Sequence, residues 1–308
     1  MRLHVGVFIL CALYGSIFSI GKIALEYAPP AFLTGSRMLV AGLLLLLYQY
    51  IFNKKEYYFK KELLLPISLV AILGVYATNV LEFWGLQYMA SSKACFIYSF
   101  SPIATALMSY FCFQEKITLQ KWLGLLLGIL GFIPVLLMPA PSETNIGTFC
   151  HLTYAELALL GAALATSIGW INMRAAVKKY NYSPVMVNAL SMFLGGGISL
   201  VHSLCTENWS PSPILKVLPF SVVFIVLTLI SNIICYNLHG FLLRFYTATY
   251  ISFAGLSTPF FAALFGWMFL DEIMPLSFWV SVIFVSLGLY IYYKEELKQG
   301  HAPKKLIN

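Results

Sequence analysis

Asn79 and Glu82 stand three residues apart inside the otherwise apolar run VYATNVLEFWGL (75–86). Tyr236 and His239 repeat that spacing in a second apolar run, each lying 157 positions after its counterpart. A three-residue interval puts both side chains of a pair on one helix face. Ionisable groups at membrane depth are costly and are functional candidates by default. A carboxylate at Glu82 can neutralise a cationic ligand or take up a proton, and an imidazole at His239 can act as a base. The competing reading is structural: each pair bonds to neighbouring helices, or reaches toward an interface from the end of its run.

Other chemistries find no support. The six cysteines form no C-x-x-C pair or other metal spacing, so no metal or cofactor is implied. Cys11, Cys95, Cys112 and Cys235 lie in apolar runs as small hydrophobes, whereas Cys150 and Cys205 fall in or beside loops and are expected as free thiols, with a disulfide as the alternative. Gly15 and Gly21-Lys22 mimic a phosphate loop, but five residues separate the glycines and Ile23 replaces the required hydroxyl. Of the five histidines only His202 and His239 lie in apolar runs, neither beside a nucleophile. The sequence therefore reads as a non-enzyme.

Aromatic residues make up 16% of the chain, among them Tyr14, Tyr76, Trp84, Tyr98, Phe100, Trp170, Tyr236 and Tyr250 within the apolar runs. Rings facing a cavity suit a planar ligand or a cation, the latter gaining ~0.5–2 kcal/mol against a π-face. Lys22, Arg37 and Lys93 should lie near one end of their runs, to hold a substrate carboxylate or to pair with Glu26 and Glu82. The expected substrate-binding set is Tyr14, Arg37, Asn79, Glu82, Tyr98, Trp170, Tyr236 and His239. A cationic or zwitterionic aromatic metabolite fits such a set, as do amino acids and many drugs.

The elements that must position these residues follow from composition. The 308 residues are 60% hydrophobic and 10% charged, too little polar surface for a soluble globule. The net charge of +7 resides in short connections, which argues for membrane topology and against nucleic acid. Ten apolar segments, numbered one to ten, lie at about 4–24, 31–52, 64–84, 92–113, 121–138, 153–173, 184–204, 217–239, 246–269 and 276–293. The N-terminal run takes part in the repeat described next and is read as the first segment rather than a signal peptide. With both termini cytoplasmic, fifteen basic residues fall inside and three (Lys22, Lys93 and Lys216) outside, with Arg37 within segment two. The chain is expected as a multi-pass protein of a bacterial cytoplasmic membrane.

The 157-residue offset extends beyond the polar pairs. It carries Pro102 onto Pro259, Leu107 onto Leu264, Glu115 onto Glu272, Trp122 onto Trp279 and Gly131 onto Gly288. The reading is a duplication: five segments in 1–138, a connecting loop 139–152, five more in 153–293, and a basic tail 294–308. An odd number of spans per half makes the repeats inverted. Pro102 and Pro259 each remove a backbone donor and should bend segments four and nine. Glu115 and Glu272 read as structural features of the repeat. Gly124, Gly128 and Gly131, and Gly161, Ala165 and Gly169, form small-residue stripes for close packing inside the bundle, a homodimer face being the alternative.

The motifs SPIATALMSYFCFQEKIT (101–118) and STPFFAALFGWMFLDEI (257–273), each followed by an apolar segment, resemble those of the drug/metabolite transporter superfamily, in its EamA-type branch. YGSIFSIGKIAL (14–25) with Pro30 and Arg37 is similar to the family's opening, and ATSIGWINMRAAVKKY (165–180) to its counterpart in the second half. The resemblance spans nearly the whole chain. It implies an all-α membrane protein of ten transmembrane helices in two inverted five-helix repeats, carrying a small molecule by alternating access through a cavity between segments one, three, four, six, eight and nine. Glu82 departs from the family, which commonly has an apolar or aromatic residue there. The general look is also similar to transporters exchanging S-adenosylmethionine for S-adenosylhomocysteine. A proton-coupled exporter of amino acids or drugs remains the alternative within the family, and a non-transporting membrane enzyme or scaffold outside it.

Overall fold

The computed structural model describes residues 2–58, 60–113, 118–137, 141–245, 251 and 254–298. Glu115 and Tyr250 lie outside the described residues. The fold is all-helical apart from a two-residue hairpin, Thr148–Phe149 with Leu152–Thr153, in the connecting loop. Helices suit this sequence because an apolar solvent offers backbone groups no partners, so each segment must satisfy its own.

Among the described residues, seven helices are long and apolar enough to cross a membrane: Gly6–Leu25, Pro30–Phe52, Lys61–Leu86, Leu119–Leu136, Tyr154–Lys178, Pro184–Thr206 and Val217–Leu242. They correspond to segments one, two, three, five, six, seven and eight. Segment four is divided into Ser91–Tyr98 and Ser101–Phe113. The break falls where Pro102 has no N–H to offer Tyr98's carbonyl. Segment nine is represented by the 3-10 turn Gly255–Ser257 and the helix Thr258–Leu270, with Pro259 in the helix's first turn. Segment ten is the helix Leu276–Lys298.

Helix ends are closed by side chains, some from far along the chain. Thr153 and Glu156 form a capping box on segment six. Pro30 and Pro184 occupy the first turns of segments two and seven, where a missing N–H costs nothing. The Glu207 carboxylate accepts from the backbone N–H groups of Ala31 (2.7 Å) and Phe32 (2.8 Å), capping segment two. Glu272 does the same for segment four, accepting from Ser91 N–H (2.6 Å) and Ser92 N–H (3.2 Å) and from both serine hydroxyls. Anionic groups at helix N-termini also oppose the helix dipole favourably.

The most extensive helix pairings are segment two with seven and segment five with ten. Segment three packs on six and segment one on eight; segment four packs on six and segment one on nine. Adding five to a segment number, cyclically, returns the first two pairings to themselves and exchanges three–six with one–eight and four–six with one–nine. Glycines permit the closest approaches. A Cβ on Gly169 of segment six would lie 2.5 Å from Gly74 Cα of segment three, and one on Gly124 would lie 2.5 Å from the Gly288 carbonyl of segment ten. Gly131 likewise meets Val285, and Gly161 meets Leu81. The small-residue stripes are thus used within the chain, which removes the reason for assigning them to a dimer face.

Candidate substrate cavity

Segments three and eight are not α-helical throughout. Each winds as a π-helix through its middle, Val70–Ala77 in one and Thr228–Cys235 in the other, before returning to α-helix. The wider turn loosens backbone pairing, and local side chains take up the carbonyls. Thr78 donates to Leu73 O (2.7 Å) and Asn79 to Val75 O (2.8 Å), while Asn237 donates to Ile233 O (2.8 Å). π-Helical turns occur frequently at functional sites. Both paired motifs, Asn79/Glu82 and Tyr236/His239, begin within two residues of the π-turn's end.

The two polar pairs meet. Asn79 Nδ2 donates to the Tyr236 hydroxyl at 3.0 Å, joining two residues separated by the offset of 157. Tyr236 in turn donates to Gly74 O (3.3 Å). Behind this contact lies Arg37 of segment two, fully buried. Its Nη2 donates to Asn79 Oδ1 (2.5 Å), and its Nη1 to Ser231 Oγ (3.2 Å) and Asn232 Oδ1 (3.3 Å). The guanidinium also sits 4.5 Å from the Phe83 ring centre. Arg37, expected among the ligand-binding residues, does not line the cavity. Both of its Nη atoms join segment two to segments three and eight, while Nε has no partner among the described residues.

Beside this layer is a cavity of about 110 Å³. Its walls come from segments one, three, four, six, eight and nine. Tyr14, Asn79, Glu82, Tyr98, Trp170, Tyr236 and His239 all line it, as does Pro102; Pro259 does not, though its neighbour Thr258 does. Glu82 is 7% exposed, and among the described residues no hydrogen bond or ion pair reaches its carboxylate. Its carboxylate has no direct partner among those residues, although the Arg37 guanidinium behind the wall acts on it through space.

Another part of the lining is aromatic. The His239 imidazole lies flat on Trp170, with centroids 3.6 Å apart and planes within 3°. Tyr236 leans on the same indole at 5.5 Å. His239 Nδ1 is 3.2 Å from the Tyr14 hydroxyl, whereas its Nε2 is buried with no partner among the described residues. Tyr98 packs against Phe18 at 5.8 Å.

The two lysines expected near the cavity are structural. Lys22 donates to the backbone carbonyls of Leu86 (3.3 Å) and Met89, closing the end of segment three instead of pairing with Glu26 or Glu82. Lys93 bridges Glu143 (2.7 Å) and Glu156 (2.9 Å). Cys150 and Cys205 are free and exposed. Sequence reasoning missed Ser99, Thr105, Thr166 and Ser231 on the cavity wall and Asn232 behind it. Helical spacing could have found some of them, since Thr166 precedes Trp170, and Asn232 precedes Tyr236, by four residues on a shared face.

The chain matches the EamA-like transporter family over residues 2–137 and again over 153–294. It is 38% identical over 296 residues to the S-adenosylmethionine/S-adenosylhomocysteine transporter of Chlamydia muridarum, covering 96% of this chain and 92% of that protein. The protein of the same name from Chlamydia trachomatis serovar L2 is 39% identical over 297 residues, with 96% and 90% covered. An uncharacterized transporter of Bacillus subtilis is 23% identical, covering 94% of this chain and 96% of its own length. A crystal structure with a TM-score of 0.70 and 13% identity covers 95% of this chain and 97% of its own, a likeness of fold. A full-length match in two blocks, relatives that are themselves transporters, and helices suited to lipid agree: the chain belongs to the EamA-like transporter family and is a multi-pass membrane transporter, not an enzyme.

Proposed function

We propose that this protein is a secondary carrier that exchanges S-adenosylmethionine for S-adenosylhomocysteine across a bacterial cytoplasmic membrane by alternating access. The observation that carries the proposal is the lone Glu82 carboxylate facing an aromatic cavity, in a chain closely related to transporters of that name. The sulfonium of S-adenosylmethionine supplies the positive charge that Glu82 lacks, and its adenine supplies a planar ring for the Trp170 side. Alternating access requires the segments around this mostly enclosed cavity to move apart to admit the ligand.

The architecture proposed for this cycle is ten spans in two inverted repeats, 1–138 and 153–293, with both termini cytoplasmic. Reciprocal pairings between segments, the meeting of Asn79 with Tyr236, and π-turns at related positions in segments three and eight support it. Exchange of the two repeats' conformations would then expose the cavity to alternate sides.

Purified protein in liposomes loaded with S-adenosylhomocysteine should take up labelled S-adenosylmethionine saturably, and faster than empty vesicles do. Equal rates with and without the internal partner would overturn exchange. Single cysteines at Lys54 and Lys61 should label from the cytoplasm and native Cys150 from outside; the reverse pattern would overturn the orientation. Glu82 also suits a proton-coupled exporter, a reading that requires uphill flux to follow an imposed pH gradient.

A further inference from the structure

We infer that the His239 Nε2–H is the group that reads the edge of the ligand's nitrogen heterocycle, donating to a ring nitrogen. This deepens the exchange reading above and rests on it. The carrying observation is an unsatisfied atom. His239 is 5% exposed and lines the cavity, yet its Nε2 has no partner among the described residues. Buried polar atoms left unpaired are rare in folded proteins and call for an explanation.

The neighbours of the ring fix what Nε2 can do. Trp170 covers one face at 3.6 Å, which holds the imidazole in plane and prevents it from swinging away. Tyr14 meets Nδ1 at 3.2 Å. We assign the Tyr14 hydroxyl as the donor to Nδ1, the acceptor it reaches among the described residues. With Tyr14 donating, Nδ1 is the lone-pair nitrogen, and a neutral imidazole then carries its hydrogen on Nε2. Nε2, closed off from the cavity in this state and reached only when the surrounding segments part, is therefore a donor.

That donor asks for an acceptor in the plane of a ring, which is what the unsubstituted nitrogens of a purine present. Glu82 cannot serve this function, because a carboxylate recognises a cation or donor. The cavity thus divides its work: the carboxylate wall takes the charged centre, which differs between the two exchanged molecules, and the His239 wall takes the heterocycle, which they share. A site with a fixed, buried donor rejects ligands lacking the acceptor because the donor is then left unpaired.

The test is a cycle of protein and ligand changes in proteoliposome exchange. Labelled S-adenosylhomocysteine competes with its 1-deaza, 3-deaza and 7-deaza analogues, each having one ring nitrogen replaced by C–H. With wild-type protein, one analogue should bind about tenfold more weakly than the parent. His239→Phe keeps a flat ring on Trp170 and removes the donor; the parent should weaken by a similar factor, and the penalty for that analogue should vanish. His239→Gln, which restores a donor, should recover part of both effects and guards against a folding defect in the first variant. Deaza penalties absent from the wild type, or unchanged in His239→Phe, overturn the His239 assignment while leaving the exchange reading standing. Failure of the wild type to exchange either adenosyl compound overturns both.

Discussion

Segments three and eight start from the same plan and finish with different chemistry. Each passes through a π-helical stretch and then presents two polar side chains, three residues apart, on one face. On segment three these are an amide and an acid; on segment eight, a phenol and an imidazole. The first polar residue of each pair, Asn79 or Tyr236, is spent on the other segment. The second, Glu82 or His239, is left facing the cavity. On the proposed duplication, two equivalent positions arise at the centre of the molecule, and divergence at the outer one would let a single cavity address two unlike parts of the proposed ligand. The inner position changes less freely, because each partner there must fit the other.

The comparison breaks most visibly at Glu82. Glu82→Gln keeps the shape and removes the charge, so half-maximal exchange of S-adenosylmethionine should require about a hundredfold more substrate, the scale of a lost charge-assisted contact. S-adenosylhomocysteine, lacking the sulfonium charge, should change severalfold at most. Equal losses for both compounds would show that Glu82 does not distinguish them.

Arg37 joins both segments, so its removal tests whether they act together. Arg37→Met should lower unfolding stability in detergent by about 2 kcal/mol, because Asn79, Ser231 and Asn232 lose a charged donor at once. Arg37→Lys should recover only part of this, since a point charge cannot serve three acceptors with a planar fork. Thermal unfolding in detergent, read by the exposure of buried cysteines, measures both.

A smaller effect is expected at Gly169. An added methyl would meet the Gly74 backbone at 2.5 Å, pushing on the π-turn of segment three at a cost of about 1–2 kcal/mol. Gly169→Ala should therefore reduce exchange, whereas Gly197→Ala, with nothing within 4 Å of the new atom, should leave it unchanged. The smallest change is Tyr236→Phe, which removes the acceptor for Asn79 and the donor to Gly74 O. It should cost about 1 kcal/mol in stability, seen as a small fall in the midpoint of thermal unfolding.

Much of this arrangement was legible before any coordinates. Hydrophobic length marked the segments, and the 157-residue offset singled out Asn79, Glu82, Tyr236 and His239 because polar residues in apolar runs stand out. Arg37 shows the limit. Its depth in segment two could be read, but which way it faces depends on where segments three and eight settle, and it turned out to stand behind the cavity wall. Lys22 shows another, because its partners are backbone carbonyls exposed by the end of a different helix, and no residue type announces them. The π-turns carry no evident sequence mark either. VAILGVYA and TLISNIIC share little beyond being apolar, and their winding is settled by what packs around them.

The Glu272 cap on segment four has a consequence for how the chain is made. The carboxylate that closes the helix at Ser91 belongs to a residue synthesised 181 positions later. At roughly 5–20 residues per second, the start of segment four waits on the order of 10–40 s for its cap during translation. Segment two waits similarly for Glu207, 176 residues downstream of Ala31. The first half of the nascent chain therefore enters the bilayer with two bare helix ends that it cannot close itself. Water at the membrane surface takes up those N–H groups in the meantime, and a chain ended before residue 207 should keep both helices without their carboxylate caps.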